Sequence, residues 1–103
     1  MEEIKPRWMV DYSNSAKKSK KALPSKIRAL MDTLAKEIEI GGPKRADWPN
    51  YSPLKKTKGI PEDSYHCHIK NGRPTYVACW TVMDKKVKFV EIFYVGTHEK
   101  APY

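Results

Sequence analysis

The run Tyr-His-Cys-His-Ile-Lys at positions 65–70 decides the fold, because apolar and basic side chains alternate along it. Such alternation is typical of a β-strand, in which successive side chains point to opposite faces. A strand here places Tyr65, Cys67 and Ile69 on one face and His66, His68 and Lys70 on the other. Imidazoles exchange protons near neutral pH, and basic side chains hold phosphates. The second face therefore indicates chemistry on a phosphate chain.

Two more strands are predicted downstream, over residues 74–83 and 86–95. The segments 71–73 and 84–85 have the composition of hairpin turns. In the middle strand we expect one face to pack on the core, and that face carries Tyr76, Ala78, Trp80 and Val82. The opposite face is less apolar and suits the floor of a cleft; it carries Thr75, Val77, Cys79 and Thr81.

Upstream, residues 25–40 give the clearest helix, because apolar residues recur at helical spacing. The stripe consists of Ile27, Leu30, Met31, Leu34 and Ile38. Gly41-Gly42-Pro43 ends this helix. Residues 7–12 are predicted to form a first strand and residues 14–22 a first helix, with Ser13 as its cap. Residues 43–64 form a proline-rich connection that we expect Trp48 and Tyr51 to anchor.

The predicted order is β-α-α-β-β-β, which is an α+β fold. An N-terminal helical hairpin packs on one face of an antiparallel sheet. The 103 residues are enough for one hydrophobic core, so we expect a single domain over residues 1–103.

The formal net charge of +8, from 20 basic and 12 acidic residues, is typical of a nucleic-acid-binding protein. Solubility or an acidic protein partner is the alternative reading. We single out Lys55, Lys56, Lys70 and Arg73 as contacts to an RNA backbone; each of them could equally be a solvated side chain.

The two cysteines, Cys67 and Cys79, lie in predicted strands and do not indicate a disulfide framework. No apolar run has the length of a membrane span, and residues 1–5 lack a signal-peptide pattern. We expect a cytoplasmic protein that does not associate with membranes.

The candidate catalytic residues are His66, His68, His98 and Tyr103. His66 and His68 could instead be ordinary surface histidines of a strand, and His98 a loop histidine bonded to backbone. Tyr103 could simply pack, rather than stack on a base or share a proton. A zinc site built from the histidines and cysteines is disfavoured, because Cys67 should point away from its histidine neighbours. No metal and no cofactor are expected.

These elements and residues together resemble the RelE/ParE superfamily of bacterial toxins from type II toxin–antitoxin modules. The resemblance covers nearly the whole chain and is most specific at the C-terminal end. There the chain has Tyr65-x-Cys-x-Ile69, Trp80-Thr81-Val82, Val95-Gly96-Thr97-His98 and Tyr103. The Val-Gly-Thr-His segment is similar to the HigB-like branch.

The resemblance implies a metal-independent endoribonuclease that cuts mRNA, often on the ribosome, and is blocked by a cognate protein antitoxin. The 2′-hydroxyl of the RNA attacks the adjacent phosphate, which leaves a cyclic phosphate and a 5′-hydroxyl. RelE has lysines where this chain has His66 and His68, and an arginine where it has His98. Its middle-strand arginine is replaced by Val77, so Arg73 is a candidate substitute. The resemblance leaves open which histidine is base and which is acid.

Two other functions stay open at this point. ParE-like members inhibit DNA gyrase without ribonuclease residues, and the histidines argue against that reading. An inactive RNA-binding module of the same fold is the other alternative.

Overall fold

Five strands and two α-helices build a two-layer α+β structure in the computed structural model, which describes residues 7–103. The elements are β1 (Met9–Tyr12), α1 (Asn14–Lys21), α2 (Ser25–Gly41), β2 (Ser52–Leu54), β3 (Ser64–Lys70), β4 (Tyr76–Asp84), β5 (Phe89–Thr97) and a short 3-10 helix (His98–Lys100). Residues 1–5, which bear the expectation about a signal peptide, lie outside the described residues.

The five strands form one sheet in the order β1-β5-β4-β3-β2. The hairpins β3–β4 and β4–β5 are antiparallel, as expected, and so is the pair β2–β3. The expectation of a fully antiparallel sheet is wrong at one edge, because β1 runs parallel to β5. Parallel neighbours need a long connection, and here everything from α1 to β4 lies between the two strands.

The strand β2 was not predicted from the sequence. It has only three residues, and its central residue is Pro53, which cannot donate to a sheet. Proline is tolerated on an edge strand, and β2 is the edge beside β3. Its pairing places Ser52 opposite His66 and Leu54 opposite Ser64. The proline-rich connection is therefore partly sheet, and this brings it to the open face.

The hydrophobic core lies between the two helices and one face of the sheet. It contains the α2 stripe as predicted, with Leu30 only half-buried at its margin. Trp80 fills the centre with no exposed surface, and its indole Nε1–H donates to the Pro43 carbonyl oxygen at 2.9 Å. Trp48 and Tyr51 pack against the same core, which confirms their predicted role as anchors.

The ends of the helices follow local sequence signals. Ser13 is the N-cap of α1, and its hydroxyl oxygen accepts from the Ala16 backbone N–H at 3.2 Å. Gly42 ends α2 with a φ of 96°, a conformation that glycine adopts without strain. Neither helix is long and apolar enough to cross a membrane, within residues 7–103.

Candidate active site

The open face of the sheet, which faces away from α1 and α2, carries two of the three histidines. His66 and His68 alternate on β3 with the core residues Tyr65, Cys67 and Ile69, as the sequence predicted. In register, His66 lies opposite Cys79 and His68 opposite Val77 on β4. Both β4 residues are fully buried. The two imidazoles therefore lie beside two buried positions of the face that was expected to form a cleft floor.

His98 and Tyr103 come from the segment that follows β5, and they lie next to these two histidines. His98 follows β5, and its backbone N–H donates to the Thr75 carbonyl oxygen at 2.9 Å. Ring centroids are 5.5 Å apart for His68 and His98, and 6.2 Å for His66 and His68. The Tyr103 ring lies 4.4 Å from His66 and 5.9 Å from His98. We call these four residues the histidine cluster.

His66 is partly buried next to β2. Its Nδ1 lies 3.3 Å from both the hydroxyl and the carbonyl oxygen of Ser52 on β2. Burial lowers the pKa of His66 below its usual 6.5, and the charges of His68 and His98 lower it further, against the raising effect of the Ser52 carbonyl. The neutral ring is therefore its main form near pH 7, as a general base requires.

His68 opens onto a cavity of about 650 Å³, which we call the histidine cavity. Its Nδ1 is hydrogen-bonded to the Asn71 side-chain oxygen Oδ1 in the β3–β4 turn. Besides His68 and His98, the lining residues are Gly72, Arg73, Pro74, Thr75, Thr97 and Glu99. Arg73 thus lies at the edge of this cavity, and a guanidinium is a side chain that can bind a phosphate.

Tyr103 is 42% exposed, although its ring packs against His66. Burial, followed by the charges of Cys79, Cys67 and Tyr94, raises the pKa of Tyr103 to about 12. The phenol is therefore protonated at neutral pH and offers a donor or a stacking surface rather than a base. The neighbouring Tyr94 hydroxyl donates to the Thr97 carbonyl oxygen at 2.7 Å, which ties down the end of β5.

Lys70 does not join the histidine cluster, and its expected place beside His66 and His68 is wrong. A register shift between His68 and Lys70 breaks the alternation, so that Lys70 lies opposite Tyr76, which packs on the core. Lys70 instead lines a cavity of about 800 Å³ beside α2, which we call the α2 groove. Arg73 lines both cavities.

Lys55 and Lys56 follow β2 and are exposed, outside the lining of the histidine cavity. Lys56 pairs with Glu62 at 3.3 Å, and both side chains are well exposed. The two lysines therefore lie next to the edge strand that holds Ser52.

Cys67 and Cys79 are free and buried on opposite faces of the sheet. Burial raises the pKa of each thiol to about 12, so neither is a ready metal ligand or nucleophile. Among the described residues, no three His, Cys, Asp or Glu side chains are grouped in a way that could hold a metal ion.

Two polar contacts of the cluster were missed from the sequence. Ser52 was unrecognised because β2 was not predicted, and serine followed by proline is an ordinary turn signal. Asn71 was assigned only to a turn, although an asparagine three residues after a strand histidine is within its reach there. The available signal was the β-hairpin itself, since a tight turn returns its side chains to the end of the strand.

Comparison with known proteins identifies the fold. No family model matches this chain, and no curated protein matches it by sequence. Solved structures do match. RelE in the RelE–RelB complex of Pyrococcus horikoshii gives a TM-score of 0.69 at 16% identity, covering 92% of this chain and 99% of that one. Free RelE of E. coli with two arginines replaced by alanine gives 0.65 at 20% identity, covering 92% and 87%.

The intact RelBE toxin–antitoxin complex of E. coli gives a TM-score of 0.64 at 24% identity, covering 90% of this chain and 99% of that one. The chain therefore has the fold of these RelE proteins, as the resemblance in its sequence implied.

Proposed function

We propose that this chain is the toxin of a type II toxin–antitoxin module and a metal-independent endoribonuclease that cleaves mRNA on the ribosome. The observation that carries the proposal is the convergence of three imidazoles and one phenol on the open face, next to a cavity lined by Arg73. The structures of the same fold are toxins, several of them bound to RelB-type antitoxins. A cognate protein antitoxin is accordingly the proposed partner.

The chemistry needs a base for the 2′-hydroxyl, positive charge for the phosphate and an acid for the leaving 5′-oxygen. The catalytic residues proposed are His66, His68, His98 and Tyr103. The three histidines can supply the base and the acid, because imidazole exists in both protonation states near neutral pH. The phenol of Tyr103 stacks on a base or donates a hydrogen bond. Neither a metal nor a cofactor is required by this route.

The net charge of +8 supports an RNA substrate. Arg73 is proposed to hold the scissile phosphate from the wall of the histidine cavity. Lys55, Lys56 and Lys70 are proposed to hold flanking phosphates: the first two beside β2, and Lys70 on the far side of the β3–β4 turn. A strand of RNA would then cross the open face from β2 towards that turn.

The test is induced expression of the wild type beside a variant with His66, His68 and His98 all replaced by alanine. We expect growth arrest and new 5′-hydroxyl ends in cellular mRNA for the wild type, and loss of both in the variant. A matched variant with alanine at the exposed lysines Lys36, Lys85 and Lys86 should behave as the wild type does. Circular dichroism of the three purified proteins checks that all are folded.

Arrest that persists in the triple histidine variant without RNA cleavage would overturn the ribonuclease proposal in favour of another target, such as DNA gyrase. RNA binding with neither arrest nor cleavage by the wild type would instead indicate an inactive RNA-binding module.

A further inference from the structure

Each strand histidine of the cluster has its Nδ1 next to an oxygen that can only accept a hydrogen bond. For His66 this oxygen is the backbone carbonyl of Ser52, at 3.3 Å, with the Ser52 hydroxyl at the same distance. For His68 it is Oδ1 of Asn71. A carbonyl oxygen has no proton to donate, so each of these contacts is a hydrogen bond only when Nδ1 carries the hydrogen, and the Ser52 hydroxyl can then accept from the same Nδ1–H. The neutral form of each ring then has its free lone pair on Nε2.

We infer that Ser52 and Asn71 are positioning residues that hold His66 and His68 as Nδ1–H tautomers, with His66 as the base of the cleavage reaction and His68 as the acid. The assignment of tautomers stands on the hydrogen bonds alone. The division into base and acid rests on the ribonuclease activity proposed above.

The two histidines differ in the groups that surround them. The groups around His66 come from four elements: Ser52 on β2, His68 on β3, Cys79 on β4, and His98 and Tyr103 after β5. Cys79 and Tyr103, with pKa values of about 12, are neutral near pH 7, and His68 and His98 can only become cationic. A proton on His66 therefore gains no anionic partner in this set. Burial and these neighbours lower the pKa of His66, in agreement with a ring that stays neutral and accepts a proton.

His68 has the opposite setting. It lines the open histidine cavity together with Glu99 and Arg73, and its partner Asn71 is exposed. Water in the cavity can solvate an imidazolium there. The cationic ring keeps its Nδ1–H bond to Asn71 and carries its second proton on Nε2, where a leaving oxygen can take it.

The step is balanced without a co-reactant. His66 Nε2 takes the proton of the RNA 2′-hydroxyl, and the 2′-oxygen forms a bond to phosphorus. The bond between phosphorus and the 5′-oxygen breaks, and that oxygen takes the proton from His68 Nε2. The products are a 2′,3′-cyclic phosphate and a 5′-hydroxyl, with His66 cationic and His68 neutral. Proton exchange with water restores the starting forms.

The tautomers are tested on the folded protein without any substrate. In protein labelled with ¹⁵N-histidine, two-bond ¹H–¹⁵N spectra near pH 8 tell a protonated ring nitrogen from a bare one. We expect protonated Nδ1 and bare Nε2 for both His66 and His68. In Asn71→Leu, the His68 pattern should shift towards a mixture of tautomers while that of His66 stays unchanged. An Nε2–H tautomer at His66 would overturn the proposal.

The division of roles is tested by the pH profile of RNA cleavage. In Asn71→Asp the oxygen acceptor is kept and a negative charge is added, which favours the imidazolium form of His68. If His68 is the acid, the alkaline limb of the profile moves up by about one pH unit. If His68 is the base, the acidic limb moves up instead, and the assignment falls. Asn14→Asp, the same exchange at an exposed position on α1, is the control and should move neither limb.

Loss of the orientation of the His68 ring should appear in kcat rather than in KM. We expect Asn71→Leu to lower kcat roughly tenfold with little change in KM, and Asn71→Asp to restore most of it. A large change in KM with unchanged kcat would make Asn71 a binding residue and overturn its positioning role. Wild-type protein with the expected tautomers but no cleavage at any pH would retain the positioning assignment and overturn both the base–acid assignment and the ribonuclease proposal.

Discussion

The two faces of the sheet come from alternate residues of the same strands, yet they differ in what surrounds them. Towards the helices, Trp80, Ile92 and Val90 are fully buried in one continuous core. On the open face, Val77 and Cys79 are just as buried, but their partners in register are the polar rings of His68 and His66. Apolar packing fixes the backbone on one side, and the same backbone fixes the imidazoles on the other. Side chains on strands are held more accurately than side chains on loops.

The largest difference between the faces should appear in stability. Trp80→Ala removes the largest fully buried side chain and a hydrogen bond to the Pro43 carbonyl, so we expect a loss of about 3–5 kcal/mol in the free energy of unfolding. His66→Ala, on the open face of the neighbouring strand, should cost less than about 1 kcal/mol. Urea unfolding of both variants measures this. Equal losses would mean that the histidine cluster is itself part of the core.

A second comparison places the same substitution on each face. Cys67→Ser and Cys79→Ser each bury a hydroxyl in place of a thiol, and we expect each to cost about 1–3 kcal/mol. Cys67→Ala and Cys79→Ala serve as controls for the change in volume. If Cys79→Ser costs far less than Cys67→Ser, water reaches beneath the histidines and the open face is not sealed.

How far the sequence predicts the structure also differs between the faces. The periodicities of β3, β4 and α2 were sufficient for the packed face, because burial imposes a period on every element that touches the core. They predicted Trp80 in the core and His66 on the opposite side. They did not predict that β1 would pair in parallel, since an edge strand of four residues carries no signal for its partner.

The open face was predicted in its residue types and only partly in its geometry. His66, His68, His98 and Tyr103 do meet. Lys70 does not join them, because one irregularity in the register of β3 moves it to the α2 groove. A bulge is decided by the turn and the partner strand together, and neither is visible in an alternating pattern. The contacts of Ser52 and Asn71 depend on long-range pairing for the same reason.

A smaller effect is the pH dependence of the unfolding free energy, to which His66 on the open face contributes. Burial lowers the pKa of His66 in the folded chain, so the unfolded chain binds its proton more readily. The stabilising contribution is complete above about pH 6.5 and is lost as the pH falls through the folded value. The loss should be less than about 1 kcal/mol, because the ring is half-exposed and solvent screens it.

Unfolding free energies of the wild type and His66→Gln at about pH 8 and about pH 5 measure this loss, and we expect a smaller pH dependence in the variant. Repeating the series in about 1 M salt tells burial from charge repulsion, since salt screens only the latter. If salt abolishes the difference, the charges of His68 and His98 are the main cause and burial is not.

The smallest effect is expected at the margin of the open face, where Tyr103 covers His66 while staying 42% exposed. Burial raises the pKa of Tyr103 to about 12, above its ordinary 10.0. A group whose pKa is raised by folding contributes stability that is complete below the unfolded value and is lost as the pH rises through the folded one. At neutral pH the phenol is protonated in both the folded and the unfolded chain, and Tyr103→Phe removes only the hydroxyl of a partly exposed side chain, so it should change the unfolding free energy by less than about 0.5 kcal/mol. In an ultraviolet titration, the phenol that is missing from Tyr103→Phe should be one that ionises above pH 10 in the wild type. Loss of a phenol that ionises near pH 10 would show that the ring swings into solvent, and the open face would then have no aromatic cover over His66.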